Sequence, residues 1–237
     1  MKLTIYLEKD LQKTVSLKEL VSTQVMHNFP ADFELKLSIA ADSSVDILDD
    51  LEDLLDVSQV QTCKHKLEFI AHENSVITYA MRSVENNAQE KINIIEKELI
   101  FTLAGKNAQA TATASCFIQD NRVYKFKTLQ DHQAQNCVSN VTVKAVLDDQ
   151  AKIFCNGMIR VAKGAQKTDS YLLNKNILLS RKARAVSIPQ LEIEANDVKC
   201  KHGAAVSRLD DEQMFYLQSR GINAQQTRAL LIDAFLS

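Results

Sequence analysis

A cysteine and a histidine two residues apart are the side chains of this sequence best suited to metal chemistry. In the segment Val198-Lys199-Cys200-Lys201-His202, strand alternation would place Cys200 and His202 on one face and the lysines on the other. A thiolate and an imidazole together suit a soft or borderline metal such as iron or zinc. We also expect the two lysines to favour the thiolate where they approach it. Because two ligands do not make a site, a core cysteine and a hydrogen-bonded strand-end histidine remain the alternative.

The other cysteines and histidines are expected to be structural. Cys63 and His65 repeat the two-residue spacing, but they lie in a lysine-rich segment. Free cysteine is often a small buried hydrophobic residue, and no acid–base partner can be assigned to the histidines from sequence. No GxSxG motif supports a Ser-His-Asp triad. The remaining members of this set are Cys116, Cys137, Cys155, His27, His72 and His132.

Composition excludes several classes of function. The 237 residues include only 5 glycines, and none are spaced as GxGxxG or as a phosphate-binding loop, so this chain is not expected to bind a nucleotide through such a loop. A net charge of -2 gives no global signal for nucleic acid or for an anionic membrane. The 5 cysteines form no CxxC pair, which favours a reducing compartment. With no signal-peptide pattern at the N-terminus and no long apolar run, we expect a cytoplasmic protein.

Period-2 alternation dominates from about residue 34 to about residue 202. Leu35, Leu37 and Ile39 alternate with polar residues, and a later strand is predicted around Ile92 and Ile94. Many short strands of this kind indicate a sandwich, a barrel or a β-solenoid. Periodicity alone leaves these alternatives open, since no fixed repeat period is visible.

The junctions between strands are rich in Asn and Asp rather than Gly. These two residues tolerate the left-handed backbone region and can bond their own backbone, so they can form corners without glycine. Small residues follow several junctions, as tight bends in stacked coils require. The junctions lie at residues 42–44, 73–75, 120–121, 148–150 and 196–197, and the small residues are Ala108, Ala151, Ala165 and Ala183.

For two charged runs, the sequence favours an ordinary polar surface over a calcium site or a nucleic-acid site. Residues 42–56 contain seven acids and no base, which is typical of a solvated helix or corner, and no EF-hand spacing is present. Residues 160–184 contain seven bases and one acid. Because only Tyr171 interleaves them, a polar face or a partner surface is favoured over nucleic acid.

The C-terminal residues switch to a helical pattern. Asp210 is a suitable N-cap with Gln213 three residues later, and Gly221 suits the position after the helix. Asn223 would cap a second helix, which buries one face through its apolar stripe. The sequence therefore predicts a terminal helical hairpin.

Several motifs between residues 131 and 235 resemble the SUF-system FeS-cluster assembly family, the SufB/SufD family. The string Lys199-Cys200-Lys201-His202-Gly203 is closer to its SufD branch than to its SufB branch. Members are usually longer, with a helical N-terminal domain for which this chain leaves little room. The other segments that carry the resemblance are Phe154–Ile159, Gly164–Asp169, Asn176–Ser180, Pro189–Ile193, Phe215–Leu217 and Ser219–Ile222.

The resemblance implies a mainly β fold, a right-handed parallel β-helix followed by a small C-terminal α-helical subdomain. The implied divisions are an N-terminal segment (1–30), the β-helix core (31–208) and the helical subdomain (209–237). It also implies a non-catalytic scaffold that pairs with a SufB-like paralogue through the β-helix edge and binds a SufC-like ATPase through the C-terminal helices.

The resemblance also assigns roles to residues. His202 and Cys200 fall on positions linked to iron entry and cluster assembly. Iron or an FeS cluster would be held transiently within the complex, with no cofactor bound stably by this chain alone. Residues expected in the ATPase contact are Asp211, Tyr216, Arg220, Gln225 and Arg228.

Two other functions stay open. The chain could be a purely structural packing or homodimerisation module with no metal role. An enzyme on a β-helix, such as a polysaccharide lyase, would predict secretion and a carboxylate-rich calcium groove, and the absence of a signal-peptide pattern counts against it.

Overall fold

A computed structural model describes residues 2–7, 13–22, 32–49, 62–84 and 93–237. Its helices are α1 (Leu17–Ser22), α2 (Asp211–Ser219) and α3 (Ala224–Leu236). In these ranges no helix has the length and apolar character needed to cross a membrane. The strands are β1 (Lys2–Leu7), β2 (Lys13–Ser16), β3 (Asp32–Ile39), β4 (Ser44–Asp49), β5 (Thr62–Ala71), β6 (Val76–Val84), β7 (Ile94–Leu103), β8 (Gln109–Ile118), β9 (Val123–His132), β10 (Val138–Leu147), β11 (Lys152–Val161), β12 (Asp169–Leu178), β13 (Arg184–Ile193) and β14 (Lys199–Ser207).

The strands form a parallel β-helix built from two sheets. Sheet A has the order β1-β3-β5-β7-β9-β11-β13, and sheet B has the order β14-β12-β10-β8-β6-β4-β2. The described strands therefore alternate between the sheets, and each pairs in parallel with the strand two places along the chain. The solenoid that the resemblance implies, and that the strand pattern left as one of three alternatives, is confirmed. β1 and β2, which fall within residues 1–30, are the first strands of the two sheets.

The length of a coil varies, which explains why no repeat was visible in the sequence. Ile94 pairs with Val123, 29 residues later, whereas Val76 pairs with Gln109, 33 residues later. Strand lengths stay nearly constant in this part of the solenoid, so the corners account for the variation. A fixed-period search therefore misses a repeat that the register makes plain.

Alternating side chains from both sheets fill the space between them. Leu67, Phe69 and Phe101 of sheet A pack with Tyr79 of sheet B in one continuous core. The prediction of a strand phase around Ile94 was wrong, because Ile95 is buried and begins the inward row of β7. Ile92 lies outside the described residues. Phase errors of this kind arise because β-branched residues occur on both faces of a parallel sheet.

Corners between the sheets use Asn and Asp in the left-handed backbone region, as predicted. The side chains also stack: Asn74 Nδ2 donates to Asp42 Oδ1, and Asn107 Nδ2 donates to Asn74 Oδ1, both at 2.8 Å. Small residues that follow the corners, including Ala108 and Ala151, are fully buried. Among the described residues, the non-glycine residues with positive φ are Asp42, Asn74, Asn107, Asp120, Asn136, Asp149 and Lys167.

Part of the acidic run is not solvated, so that expectation was wrong at Asp49. This residue ends β4 inside the core, and its carboxylate accepts hydrogen bonds from the Lys97 ammonium at 2.8 Å and from the Tyr79 hydroxyl. Both charged side chains are fully buried. Because Lys97 and Tyr79 lie far away in sequence, the pairing could not be deduced from the acidic run alone. Residues 50–56 lie outside the described ranges.

The C-terminal helices have the predicted caps. Asp210 Oδ1 accepts from the backbone N–H of Glu212 at 2.8 Å, and Asn223 Oδ1 accepts from that of Gln226 at 2.9 Å. Gly221 follows α2 with a φ of 91°. α3 packs against the outer face of sheet B, where Leu236 contacts Val146 and Ile177. The helices are therefore attached to the β-helix mainly through α3.

Candidate functional site

The C-terminal end of the β-helix is open. β13 is the last strand of sheet A and β14 the last strand of sheet B, so one edge of each is unpaired in the described structure. Apolar residues continue to this end and remain exposed, with Ile188 at 50% and Val206 at 51%. An unpaired parallel edge with apolar side chains is a surface on which a further strand or subunit can stack.

Cys200 and His202 lie on the inward face of β14. Cys200 is in register with Ser170 and His202 with Leu172, and both of these β12 residues are buried. The predicted placement of the pair on one face therefore holds. Cys200 is half-buried against the core, whereas His202 is exposed. The imidazole can reach solvent or a partner, and the thiol lies between core and surface.

The expected lysine activation of Cys200 was wrong. The pKa of the Cys200 thiol is raised, first because burial disfavours the thiolate and second because the Asp169 carboxylate lies nearby. Lys199 and Lys201 are on the opposite face of β14, with their strand partners Asp169 and Tyr171. Alternation, which places the Cys/His pair together, also turns the lysines away from the sulfur.

A buried polar network lies below Cys200, inside the β-helix. Ser139 Oγ is 2.8 Å from both Ser170 Oγ and His132 Nε2, and it donates to Gln130 Oε1 at 2.5 Å. All four residues are essentially inaccessible to water. Burial lowers the pKa of His132 to about 4, so the ring is neutral at pH 7. Ser139, Ser170 and Cys200 thus form one row of small polar side chains that ends at the open edge.

Asn174 links the two sheets near the open end. Its Nδ2 donates to the Val143 carbonyl at 3.3 Å and to Cys155 Sγ at 3.2 Å. Its Oδ1 accepts from Asn176 Nδ2 at 2.5 Å and from the Ser187 hydroxyl. Because β10, β11, β12 and β13 all meet at this side chain, Asn174 fixes the position of edge strand β13 relative to sheet B.

Gly157 lets the core close beside this network. A Cβ at position 157 would lie 2.4 Å from Leu172 Cδ2 and 3.1 Å from Thr128 Oγ1. Leu172 is the register partner of His202, so the packing at Gly157 supports the residue directly below the histidine. The Leu172 side chain, not a positive φ, sets the need for glycine here.

Among the described residues, the other cysteines and His65 have structural environments, whereas His27 lies outside the described ranges. Cys63 Sγ is 3.1 Å from His65 Nε2 in the core, and burial together with the Lys97 charge lowers the pKa of His65 to about 3. The Cys137 thiol donates to the Gly105 carbonyl at 3.2 Å. Cys116 is fully buried, and burial raises the pKa of Cys155 to about 12. Within the described ranges, no three His, Cys, Asp or Glu residues are grouped as a metal site.

The C-terminal helices expose most of the residues expected in a partner contact. Asp211, Tyr216, Arg220 and Gln225 are exposed, and the Arg220 guanidinium lies 5.3 Å from the centre of the Tyr216 ring. Phe215, beside them on α2, is 75% exposed. An exposed aromatic pair with an arginine has the composition of an interaction hot spot.

Arg228 has a different environment. Its guanidinium forms an ion pair with the Asp148 carboxylate at the corner after β10. A second ion pair joins Arg82 of β6 to Asp233 of α3, and the Ser115 hydroxyl donates to the Leu236 carbonyl at 2.8 Å. These contacts hold α3 on sheet B, so Arg228 connects the helices to the β-helix.

Sequence reasoning missed the polar network and the Asn174 link. The signal was present, because Ser139, Ser170 and Asn174 occupy inward positions of strands whose other inward residues are apolar. To recognise these polar residues as one network, the reader of the sequence must know which face of each strand points inward and which strand lies next to it. Neither follows from local alternation.

Comparison with protein families agrees with this architecture. The family model described as "SUF system FeS cluster assembly, SufBD core domain" matches residues 55–235, which is most of the chain. The chain belongs to the SufBD family. The matched range includes the open edge, Cys200, His202, α2 and all of α3 except Leu236.

Curated SufBD relatives share substantial identity with parts of the chain. The iron-sulfur cluster assembly protein SufD of Escherichia coli is 41% identical over 133 residues, which cover 56% of this chain and 31% of that protein. A SufBD family protein of Synechocystis is 44% identical over 97 residues, covering 41% of this chain and 21% of the relative. The chain therefore spans about a third or less of the length of these two relatives, and it is similar to SufD.

Proposed function

We propose that this SufBD chain is a non-catalytic scaffold subunit of a cytoplasmic iron-sulfur cluster assembly complex. It would pair with a SufB-like paralogue through the open edge of β13 and β14, and bind a SufC-like ATPase through α2 and α3. The observation that carries the proposal is the position of Cys200 and His202 on the inward face of an unpaired edge strand. Iron and the cluster are cargo of the complex in this proposal.

The open edge supports pairing with a subunit of the same architecture. Unpaired strand edges need a partner or a cover, and exposed apolar residues on a strand are a cost that association removes. Leu191 and Ile193 of β13 continue the inward apolar row of sheet A and are 40% and 39% exposed. A second β-helix stacked on this end would bury them.

The ligands available on this chain support a shared metal site. Residues two apart on a strand lie about 6.6 Å apart along the backbone, so a thiol and an imidazole on one face can reach the same ion. Iron bound by sulfur and nitrogen donors needs more ligands than these two. The described residues offer no third His, Cys, Asp or Glu in a group with them. The missing ligands would come from the paired subunit or from water.

The attachment of α3 supports a mechanical connection to the ATPase. α2 presents Phe215 and Tyr216 to solvent, while α3 is held on sheet B by Arg228, Arg82 and Ser115. A partner that moves α2 and α3 would therefore act on β6, β8 and β10, and through the sheet on β12 and β14. In this proposal the chain transmits the movement of α2 and α3 to sheet B, and the partner hydrolyses ATP.

Anaerobic reconstitution of the purified three-subunit complex tests the metal role. We expect His202→Ala to reduce the cluster absorbance strongly and Cys200→Ser to reduce it further in the double variant. His72→Ala is the matched control, because His72 is an exposed histidine whose Nε2 contacts the Ser38 hydroxyl at 3.0 Å. Normal cluster formation by the double variant would contradict the metal role and favour the packing or homodimerisation module.

A further inference from the structure

The outer face of sheet A carries charges that alternate in sign from strand to strand. Lys2 lies next to Glu34, and Glu34 next to Lys66. Neighbours in these rows form ion pairs with N–O distances between 2.8 and 4.0 Å. Like charges directly opposite each other destabilise a sheet, and alternation avoids that cost. The two rows are Lys2, Glu34, Lys66, Glu98, Lys127 and Asp32, Lys64, Glu96, Lys125.

The outer face of sheet B breaks this pattern near its C-terminal edge. Lys144 of β10 lies directly opposite Lys175 of β12, and β14 adds Lys199 and Lys201. None of these lysines forms an ion pair with a residue that the structure describes. Asp169, the one acidic residue on these three strands, lies opposite Lys199 in register. α3 covers this outer face at Val146 and Ile177. We call the neighbouring part of the outer face, which carries these four lysines, the lysine face.

An aromatic residue lies within the lysine face. Tyr171 is 37% exposed and pairs in register with Lys201. A Cβ at Gly203 would lie 3.4 Å from the Tyr171 hydroxyl, so this side chain extends over the backbone of β14. Tyrosine is enriched in protein–protein interfaces because it offers a large apolar area and a polar end.

We propose that the lysine face is a docking surface for an acidic segment of a partner protein. The opposed lysines Lys144 and Lys175 cost stability in the free chain, and carboxylates of a partner would remove that cost. An acidic polypeptide fits better than nucleic acid, since the chain has a net charge of -2 and the face has a single aromatic side chain. This surface is separate from the inward-facing Cys200 and His202.

Binding of a fluorescein-labelled oligoglutamate peptide to the full chain, followed by anisotropy, tests the proposal. We expect salt-sensitive binding that the double variant Lys144→Glu/Lys175→Glu weakens about tenfold, since several surface ion pairs are lost. The double variant Lys163→Glu/Lys182→Glu is the matched control. It makes the same change in net charge at exposed corner lysines and should weaken binding less than about threefold.

Three results would overturn the proposal: no binding by the wild-type chain, equal losses in the two double variants, or an unchanged affinity in Lys144→Glu/Lys175→Glu. An oligothymidylate of matched length is the second probe. If it bound more tightly than oligoglutamate and lost affinity in the same variant, the face would be a nucleic-acid surface. Neither probe requires iron or another subunit, so these results are independent of the proposed scaffold role.

Discussion

Ser170 and Cys200 occupy the same inward position on neighbouring strands, but only Ser170 is fully buried. The change from serine to cysteine coincides with the change from the interior of the β-helix to its open edge. The ring of His202, two residues further on, is exposed at the same edge. The end of the solenoid therefore presents a thiol and an imidazole above a buried polar network.

Asn174 should be required for the stability of the open end. In Asn174→Ala, the hydrogen-bonding groups of Asn176 and Ser187 lose their partner in a buried site, which we expect to lower the free energy of unfolding by about 2–3 kcal/mol. Asn140→Ala, at an exposed position of β10, is the control and should change it by less than about 0.5 kcal/mol. Urea unfolding followed by circular dichroism measures both. Equal effects would show that the hydrogen bonds of Asn174 contribute little.

Gly157→Ala should destabilise the core because its new methyl group would overlap the Leu172 side chain. We expect a loss of about 1–3 kcal/mol in the free energy of unfolding. Gly164→Ala is the control, since nothing lies within 4 Å of a Cβ at that position. Adding Leu172→Ala to Gly157→Ala should cost less than the sum of the single changes. Strict additivity in this double-mutant cycle would mean that the two side chains do not compete for the same space.

The buried His132 should make the protein less stable as the pH decreases. Its pKa is about 4 in the folded chain and about 6.5 when unfolded, so the unfolded chain binds the extra proton between these values. The free energy of unfolding should decrease as pH falls from about 6.5 to about 4, by at most about 1.4 kcal/mol per pH unit from this group. His65, whose pKa is lowered to about 3, adds in the same direction. In His132→Gln, urea unfolding should show a shallower pH slope across this interval, and an unchanged slope would be evidence against a neutral buried ring.

Arg228 and Asp148 should act as a pair in holding α3. Each single change to alanine should lower stability by about 0.5–1 kcal/mol, because the guanidinium is partly exposed, and the double variant should cost no more than either one. Tyr216→Ala should leave stability unchanged, since its side chain is exposed, and should weaken ATPase binding instead. Isothermal titration calorimetry measures ATPase binding and urea unfolding measures stability, so the two effects can be separated. A full sum in the Arg228/Asp148 double variant would contradict a direct interaction.

The amount that the sequence predicts differs among parts of this molecule. Alternation predicts the strands, and the caps at Asp210 and Asn223 predict the helices, because both depend on neighbouring residues. Corner chemistry at Asp42 and Asn74 is also local. The strand register does not depend on neighbouring residues alone, because corners of different length separate the coils. The pairing of β7 with β9 therefore cannot be derived from spacing.

The candidate site is predictable to the same extent. Alternation alone places Cys200 with His202 and turns Lys199 away. Ser170 contacts Ser139, which lies 31 residues earlier in the chain. The partners of Asn174 include residues of three other strands, Val143, Cys155 and Ser187. The burial of Asp49 with Lys97 depends on two sheets meeting in space. Such contacts carry no local pattern, so only the three-dimensional structure shows them.

Co-expression of this chain with the SufB-like and SufC-like proteins of the same organism tests the scaffold role most directly. The mass of the purified species would be measured by size-exclusion chromatography with light scattering. We predict a complex that contains all three proteins, that loses the SufB-like subunit in Leu191→Asp and loses the SufC-like subunit from this chain in Tyr216→Ala. A chain that elutes alone or only as a homodimer in the presence of both proteins would contradict the scaffold role.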